Sequence, residues 1–186
     1  NNIDVRMRRF SNAFEYMFPT KKYKTIRTIK GKKEIVFEDN GKEMNIAELS
    51  SGEKQIVFRG CFLLKDKMSS LGSLVIIDEP EISLHPLWQK KILSFFKLLF
   101  TDAEKQTSQI IISTHSPFII HNADRYDDKV IVLQRNAENG TQVVQEPVFF
   151  GWSNEQKVKE AFHFDIIKKD SINIFVEGIT DEIYLK

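Results

Sequence analysis

The 186-residue chain has a single cysteine, Cys61, so no disulfide can form within it. No apolar run approaches the roughly 20 residues that cross a bilayer. Both facts favour a cytoplasmic setting without a membrane partner. Charge of one sign is not in surplus either. Lysine and arginine number 27 against 26 aspartates and glutamates, a net of +1, which excludes a global pull on nucleic acid. Glycine is scarce at 8 residues, and none falls in the pattern Gly-x-x-x-x-Gly-Lys-Ser/Thr; Gly31-Lys32 and Gly41-Lys42 lack the rest of it. Without that loop the chain carries no backbone cradle for a β-phosphate and no lysine to neutralise one.

Against these absences stand short segments that point to phosphate chemistry. Leu74-Val75-Ile76-Ile77 reads as a short buried strand of a parallel sheet, and Asp78-Glu79-Pro80 follows at its end. Open α/β sheets place ligands at strand ends of this kind. One carboxylate can support a Mg²⁺–water shell while its neighbour polarises an attacking water. Leu49-Ser50-Ser51-Gly52-Glu53-Lys54-Gln55 opens a second pattern, in which Ser50 and Glu53 fit a capping box before the helical stripe Ile56, Val57, Cys61, Leu63 and Leu64. Free N–H groups at a helix start attract phosphate. Gln109-Ile110-Ile111-Ile112-Ser113-Thr114 reads as another strand, with His115 directly after it. Beside the first strand, that histidine would reach the same sheet edge, where an imidazole can contact a γ-phosphate or orient water. Each segment alone is also an ordinary turn, cap or loop; together they are far more specific.

Their order and spacing resemble the C-terminal half of an ABC-type ATPase domain, including its SMC-like and DNA-repair branches. Leu49 to Gln55 is similar to the ABC signature, Leu74 to Glu79 to Walker B with its catalytic glutamate, Glu81 to His85 to the D-loop, and His115 to the switch histidine. The resemblance implies ATP and Mg²⁺ as cofactors, with Asp78 supporting the metal shell, Glu79 the general base and His115 beside it. It also implies that Ser50, Ser51, Gly52 and Glu53 meet a nucleotide held mainly by a partner subunit, in a homodimer or higher oligomer formed through an ATP sandwich. Ser51 stands where the commonest signature has its first glycine. The fold implied is α/β, an ABC-ATPase-like mixed or parallel sheet flanked by helices. Because the chain begins Asn1-Asn2-Ile3 and lacks the phosphate loop, the expectation is a fragment whose loop precedes residue 1, inactive by itself.

Ser171 to Val176 reads as a further strand, followed by Glu177-Gly178-Ile179-Thr180-Asp181-Glu182. This resembles the opening of a Toprim domain, with Glu177 in the catalytic-acid position and Glu177 and Asp181 as ligands for Mg²⁺ or Mn²⁺. The combination is similar to the OLD family of ATPase–Toprim nucleases. That resemblance implies DNA as substrate, cleavage controlled by ATP-driven dimerisation, and defence against phage. The alternatives are an SMC-like or DNA-repair ATPase without its own nuclease, a transporter subunit, a structural ATPase-like domain, and a nucleotide-gated scaffold that recruits a separate effector protein. The Glu81 to Pro86 continuation argues against the transporter. The organisation expected is an ATPase part over residues 1–150, a connector over 151–170 and a Toprim-like start over 171–186.

Other expectations are structural. Asp39-Asn40-Gly41 between Lys33–Phe37 and Lys42–Ile46 predicts a hairpin, and Asn139-Gly140 between Val130–Gln134 and Gln142–Glu146 a second one. Pro86 predicts a helix start, with Leu87 to Phe100 packing on the sheet. Cys61 is expected in the core. Arg6, Arg8, Arg9, Lys21, Lys22, Lys24, Arg27, Lys30, Lys32 and Lys33 make the first 33 residues basic, a run suited to phosphate-backbone contact or to a solvated face.

Overall fold

The computed structural model describes residues 5–29, 31–65, 72–102, 105–122, 128–136 and 140–145. The connector and the Toprim-like segment, with Glu177 and Asp181, lie outside the described residues. Helix α1 (Val5–Met17) leads into an antiparallel sheet of β1 (Lys21–Ile29), β2 (Lys32–Asp39) and β3 (Lys42–Asn45). The β2–β3 hairpin forms where expected. Asn40 and Gly41 take φ of +48° and +84°, the left-handed pair that a tight two-residue turn requires. Helix α2 (Ser51–Leu63) follows, then β4 (Leu74–Asp78), α3 (Pro86–Leu99), the two-residue strands β5 (Thr101–Asp102) and β6 (Lys105–Gln106), β7 (Gln109–Ser113) and the single turn α4 (Pro117–Ile120). Strands β8 (Leu133–Arg135) and β9 (Thr141–Val143) form the second hairpin, shorter than its sequence pattern predicts.

Phenylalanine builds the core. Phe10, Phe14 and Met17 of α1 meet Phe37 of β2, Ile56 and Val57 of α2, and Ile92, Phe95, Phe96 and Leu99 of α3. The Phe14 ring lies 4.8 Å from Phe37 and 5.0 Å from Phe18, spacings at which aromatic pairs attract beyond simple burial. Gly60 lets α2 cross α1, because a Cβ there would sit 2.9 Å from the Phe10 ring. With Gly60 facing inward, the next position along the helix turns outward, and Cys61 is exposed rather than in the core.

The sheet that carries the candidate site is the parallel pair β4–β7, in register from Leu74↔Gln109 to Asp78↔Ser113. Val75, Ile77, Ile110 and Ile112 turn toward the core. The opposite face is open, with Leu74 at 57% exposure and Ile76 at 71%. The expected buried strand is thus buried on one face, at Val75, and open on the other. Burial of a parallel strand needs cover on both faces, and among the described residues only one is covered.

Part of the basic N-terminal run is paired within the fold, while Lys22, Lys32 and Lys33 are exposed. Lys21 pairs with Asp39, Lys24 reaches Glu38 at 3.1 Å and Glu43 at 2.9 Å, and Arg27 grips Glu43 through both nitrogens at 2.6 and 2.7 Å. Arg8 and Arg9 both reach Asp102 at 3.4 Å, and Arg6 donates to the Lys65 carbonyl at 3.0 Å. Lys21, Lys24 and Arg27 thus tie the three-stranded sheet together, and Arg6, Arg8 and Arg9 tie α1 to Lys65 and Asp102 further along the chain. The Arg27 guanidinium, helped by Lys24, pulls the Glu43 carboxyl from 4.5 to about 2. A lowered folded-state pKa contributes stability that is complete above the ordinary value and is lost as pH falls toward the lowered one. Glu43→Gln should therefore lower the melting temperature at pH 7, with mutant and parent converging as pH approaches 2. Adding salt at about 1 M, where screening length falls to about 3 Å, should shrink the difference at neutral pH; thermal melts across pH and salt read both effects.

Candidate nucleotide site

Helix α2 begins as its sequence requires. Ser50 caps it by accepting from the Glu53 N–H at 3.4 Å, and the Glu53 carboxylate accepts from the Ser50 N–H at 2.8 Å. Ser50 and Ser51 are exposed at the helix start, whereas Gly52 and Glu53 are buried. Glu53 also lies 3.6 Å from Lys21 Nζ, which ties the helix start to β1. Gly52 has a packing reason of its own. A Cβ there would stand 2.7 Å from the Trp88 ring and 2.8 Å from the Ser83 carbonyl. Glycine is thus required for the turn after β4 to lie against α2.

The β4–β7 register brings the other candidates together. Asp78 and Ser113 are paired at the strand ends, and the Ser113 hydroxyl donates to Asp78 Oδ1 at 2.6 Å. The Glu79 N–H donates to the Ser113 carbonyl at 2.9 Å, extending the pairing one residue beyond the strand. His115 follows on the next turn, 75% exposed, with Nδ1 3.5 Å from Glu79 Oε1. Asp78, Glu79 and His115 therefore share one sheet edge. His121, assigned no role from sequence, is buried away from it.

Glu79 holds a backbone φ of +41°. A non-glycine residue in the left-handed region carries strain, more so immediately before proline. Such strain is found where the surroundings over-determine a side chain's position.

Two neighbours have contacts that the sequence alone did not indicate, Glu81 at the start of the D-loop-like segment and Arg59 on α2. Glu81 is buried at 8% exposure, and its Oε1 accepts from Thr114 Oγ1 at 2.8 Å, His115 N–H at 3.0 Å and Ser116 N–H at 3.2 Å. Arg59, on α2, donates to the Pro80 carbonyl. The signals at Glu81 were its place in the D-loop-like segment and a third carboxylate two residues past Glu79; nothing local marked Arg59.

The residues at this edge can be tested against the demands of a Mg²⁺–nucleotide complex. Asp78 is exposed and aligned with a hydroxyl, and among the described residues no cluster of three metal-ligating side chains forms. Mg²⁺ commonly takes one or two carboxylates and completes its shell with waters and phosphate oxygens, so Asp78 with Ser113 beside it fits that demand. A β-phosphate cradle is not among the described residues.

Residues 5–121 match the family described as "AAA domain, putative AbiEii toxin, Type IV TA system". The chain belongs to this AAA-domain family. Among curated relatives, it is 26% identical over 163 residues to the Septu protein PtuA of Bacillus thuringiensis, covering 80% of this chain and 39% of that protein. It is 36% identical over 95 residues to the OLD nuclease of Thermus scotoductus, covering 46% of this chain and 17% of the nuclease. The chain thus spans well under half the length of these relatives. A solved SMC ATPase, described in terms of ATP-driven dimerization and DNA-stimulated activation, superposes with a TM-score of 0.54 at 21% identity, covering 76% of this chain and 83% of that one. The mixed α/β fold is therefore that of SMC- and ABC-type ATPase domains, and membership of an ATPase family implies ATP as its nucleotide. No helix among the described residues is long and apolar enough to cross a membrane.

In this AAA-family chain the strained Glu79 makes a stability test available. Glu79→Gly should relieve the positive φ and stabilise the fold by about 1 kcal/mol, glycine's extra unfolded-state freedom offsetting part of the gain. Denaturant melts of the protein check this, and a loss of stability would refute the strain.

Proposed function

We propose that this chain supplies the hydrolytic edge and the signature helix of a composite ATP site that closes between two protomers. The observation that carries the reading is the shared strand end at which Asp78, Glu79 and His115 converge. Bound Mg²⁺ would neutralise phosphate charge as it develops in the transition state. Asp78, fixed by the Ser113 hydroxyl, would support the metal's water shell. Glu79 would accept the proton of the attacking water, with His115 turned toward the same water or the γ-phosphate. Ser50 and Ser51, exposed at the start of α2, would meet the nucleotide of the opposite protomer, with Gly52 and Glu53 shaping the backbone there. Helix N-termini favour phosphate for this purpose.

The wider role rests on the ATPase part over residues 1–150 being joined through 151–170 to a Toprim-like domain starting at 171. In that domain Glu177 and Asp181 would hold Mg²⁺ or Mn²⁺ for DNA cleavage, gated by nucleotide-driven dimerisation. Similarity to an OLD nuclease and to a Septu protein supports a DNA-directed defence function against phage in the cytoplasm. Likeness to SMC ATPases favours a second reading, in which the nucleotide-gated dimer recruits a separate effector.

In the full-length protein, Glu79→Gln should retain ATP binding and lose at least about a hundredfold in turnover, the scale of general-base catalysis. ATP-binding and phosphate-release assays measure the two, and normal turnover would remove Glu79 from its role. Glu177→Ala should abolish metal-dependent DNA cleavage while ATPase activity persists. Cleavage that survives the change would favour the recruited effector.

A further inference from the structure

We infer that Glu81 is the positioning residue for His115, and that through the Pro80–Glu81 turn it makes helix α2 and the His115 turn move as one body. The inference rests on the composite-site reading for its catalytic consequence but not for its geometry. Glu81 is a buried carboxylate whose two oxygens are used very unequally. Oε1 accepts from Thr114 Oγ1 and from the N–H groups of His115 and Ser116, and it stands 3.5 Å from His115 Nδ1. Oε2 is buried with no hydrogen-bond partner among the described residues. A single anionic oxygen thus gathers the backbone on both sides of the His115 peptide. Charge-assisted bonds of this kind are the strong ones, and a buried carboxylate without them is costly.

His115 itself is mostly exposed, so packing does not fix its ring. Its backbone is what is held, and held at a distance that leaves Nδ1 equally 3.5 Å from Glu79 Oε1 and Glu81 Oε1. The imidazole therefore sits between the proposed base and the anchor. The anchor is tied to α2 at two points. Arg59 donates to the Pro80 carbonyl, and Gly52 lies so close to the Ser83 carbonyl that a Cβ would meet it at 2.8 Å. Burial lowers the Arg59 pKa, and the Glu81 charge opposes that in part. A shift of α2 against an opposing protomer would be passed to Pro80, Glu81 and His115 in turn, without a change in the sheet.

The test compares Glu81→Leu, which removes every acceptor at similar volume, with Glu81→Gln, which keeps one, in the full-length protein. Amide hydrogen exchange without nucleotide should show His115 and Ser116 losing about ten- to hundredfold of their protection in Glu81→Leu, and far less in Glu81→Gln. Turnover should fall at least about tenfold in Glu81→Leu with KM within about twofold, and Glu81→Gln should restore much of it. Unchanged amide protection overturns the anchor, and lost protection with normal turnover overturns its positioning role. If Glu81→Leu does not fold, Thr114→Val and Glu81→Gln carry the same comparison: Thr114→Val should raise exchange at His115 and Ser116 partially, and no rise there refutes the anchor. Because exchange is read without nucleotide, it judges the anchor even if Glu79→Gln turns over ATP normally and the ATPase reading falls.

Discussion

The parallel register of β4 on β7 is the constraint on which the rest of the site depends. Leu74–Asp78 lies against Gln109–Ser113 over only five residue pairs, yet those pairs decide what shares the sheet edge. Side chains alternate with a period of two along a strand, so a slip of one residue would exchange the two faces. Asp78 would then turn toward the core that Val75 and Ile77 now occupy, and an uncompensated buried carboxylate would result. The register is pinned at both ends. Gln109 N–H donates to the Ser73 carbonyl at 3.0 Å before the strands begin, and Glu79 N–H donates to Ser113 at 2.9 Å after they end. Between these fastenings the apolar residues of one face join the phenylalanine core.

What could be read without coordinates is what local chemistry encodes. Ser50 and Glu53 are three residues apart and cap each other, so the start of α2 was legible. Asn40-Gly41 can hardly do anything but turn, and Pro86 stands at the first helical position of α3. The convergence of Asp78 and His115 followed from two strand ends once the strands were taken as neighbours. Strand β1 was not legible, because its side chains are mostly lysine, arginine and threonine. Its pairing draws on carboxylates of β2 and β3 that only the folded register places opposite. For the same reason composition counts the charges of the basic run but not the partners that Lys24 and Arg27 find. The packing roles of Glu81 and Gly52 were opaque as well. The significance of each comes from a contact more than thirty residues away along the chain, with the turn at Ser116 for one and Trp88 for the other.

The carboxylates after β4 illustrate how backbone geometry divides labour among chemically similar groups. Asp78 ends the strand on its open face beside a hydroxyl. Glu79 turns the chain through a left-handed φ and remains about half exposed. Glu81 goes inward and is met by three donors. Two of the groups stay at the surface, and the buried one holds the turn that carries His115. Strain at Glu79 costs on the order of 1–3 kcal/mol. Hydrogen bonds to a charged acceptor contribute on the order of 1.5–3 kcal/mol each, which is enough for Glu81 to offset that strain from two residues away. The left-handed conformation of Glu79 is therefore sustained by a neighbour two residues away. Loosening Glu81 would free the turn to relax at the expense of the geometry that brings Glu79 and His115 together.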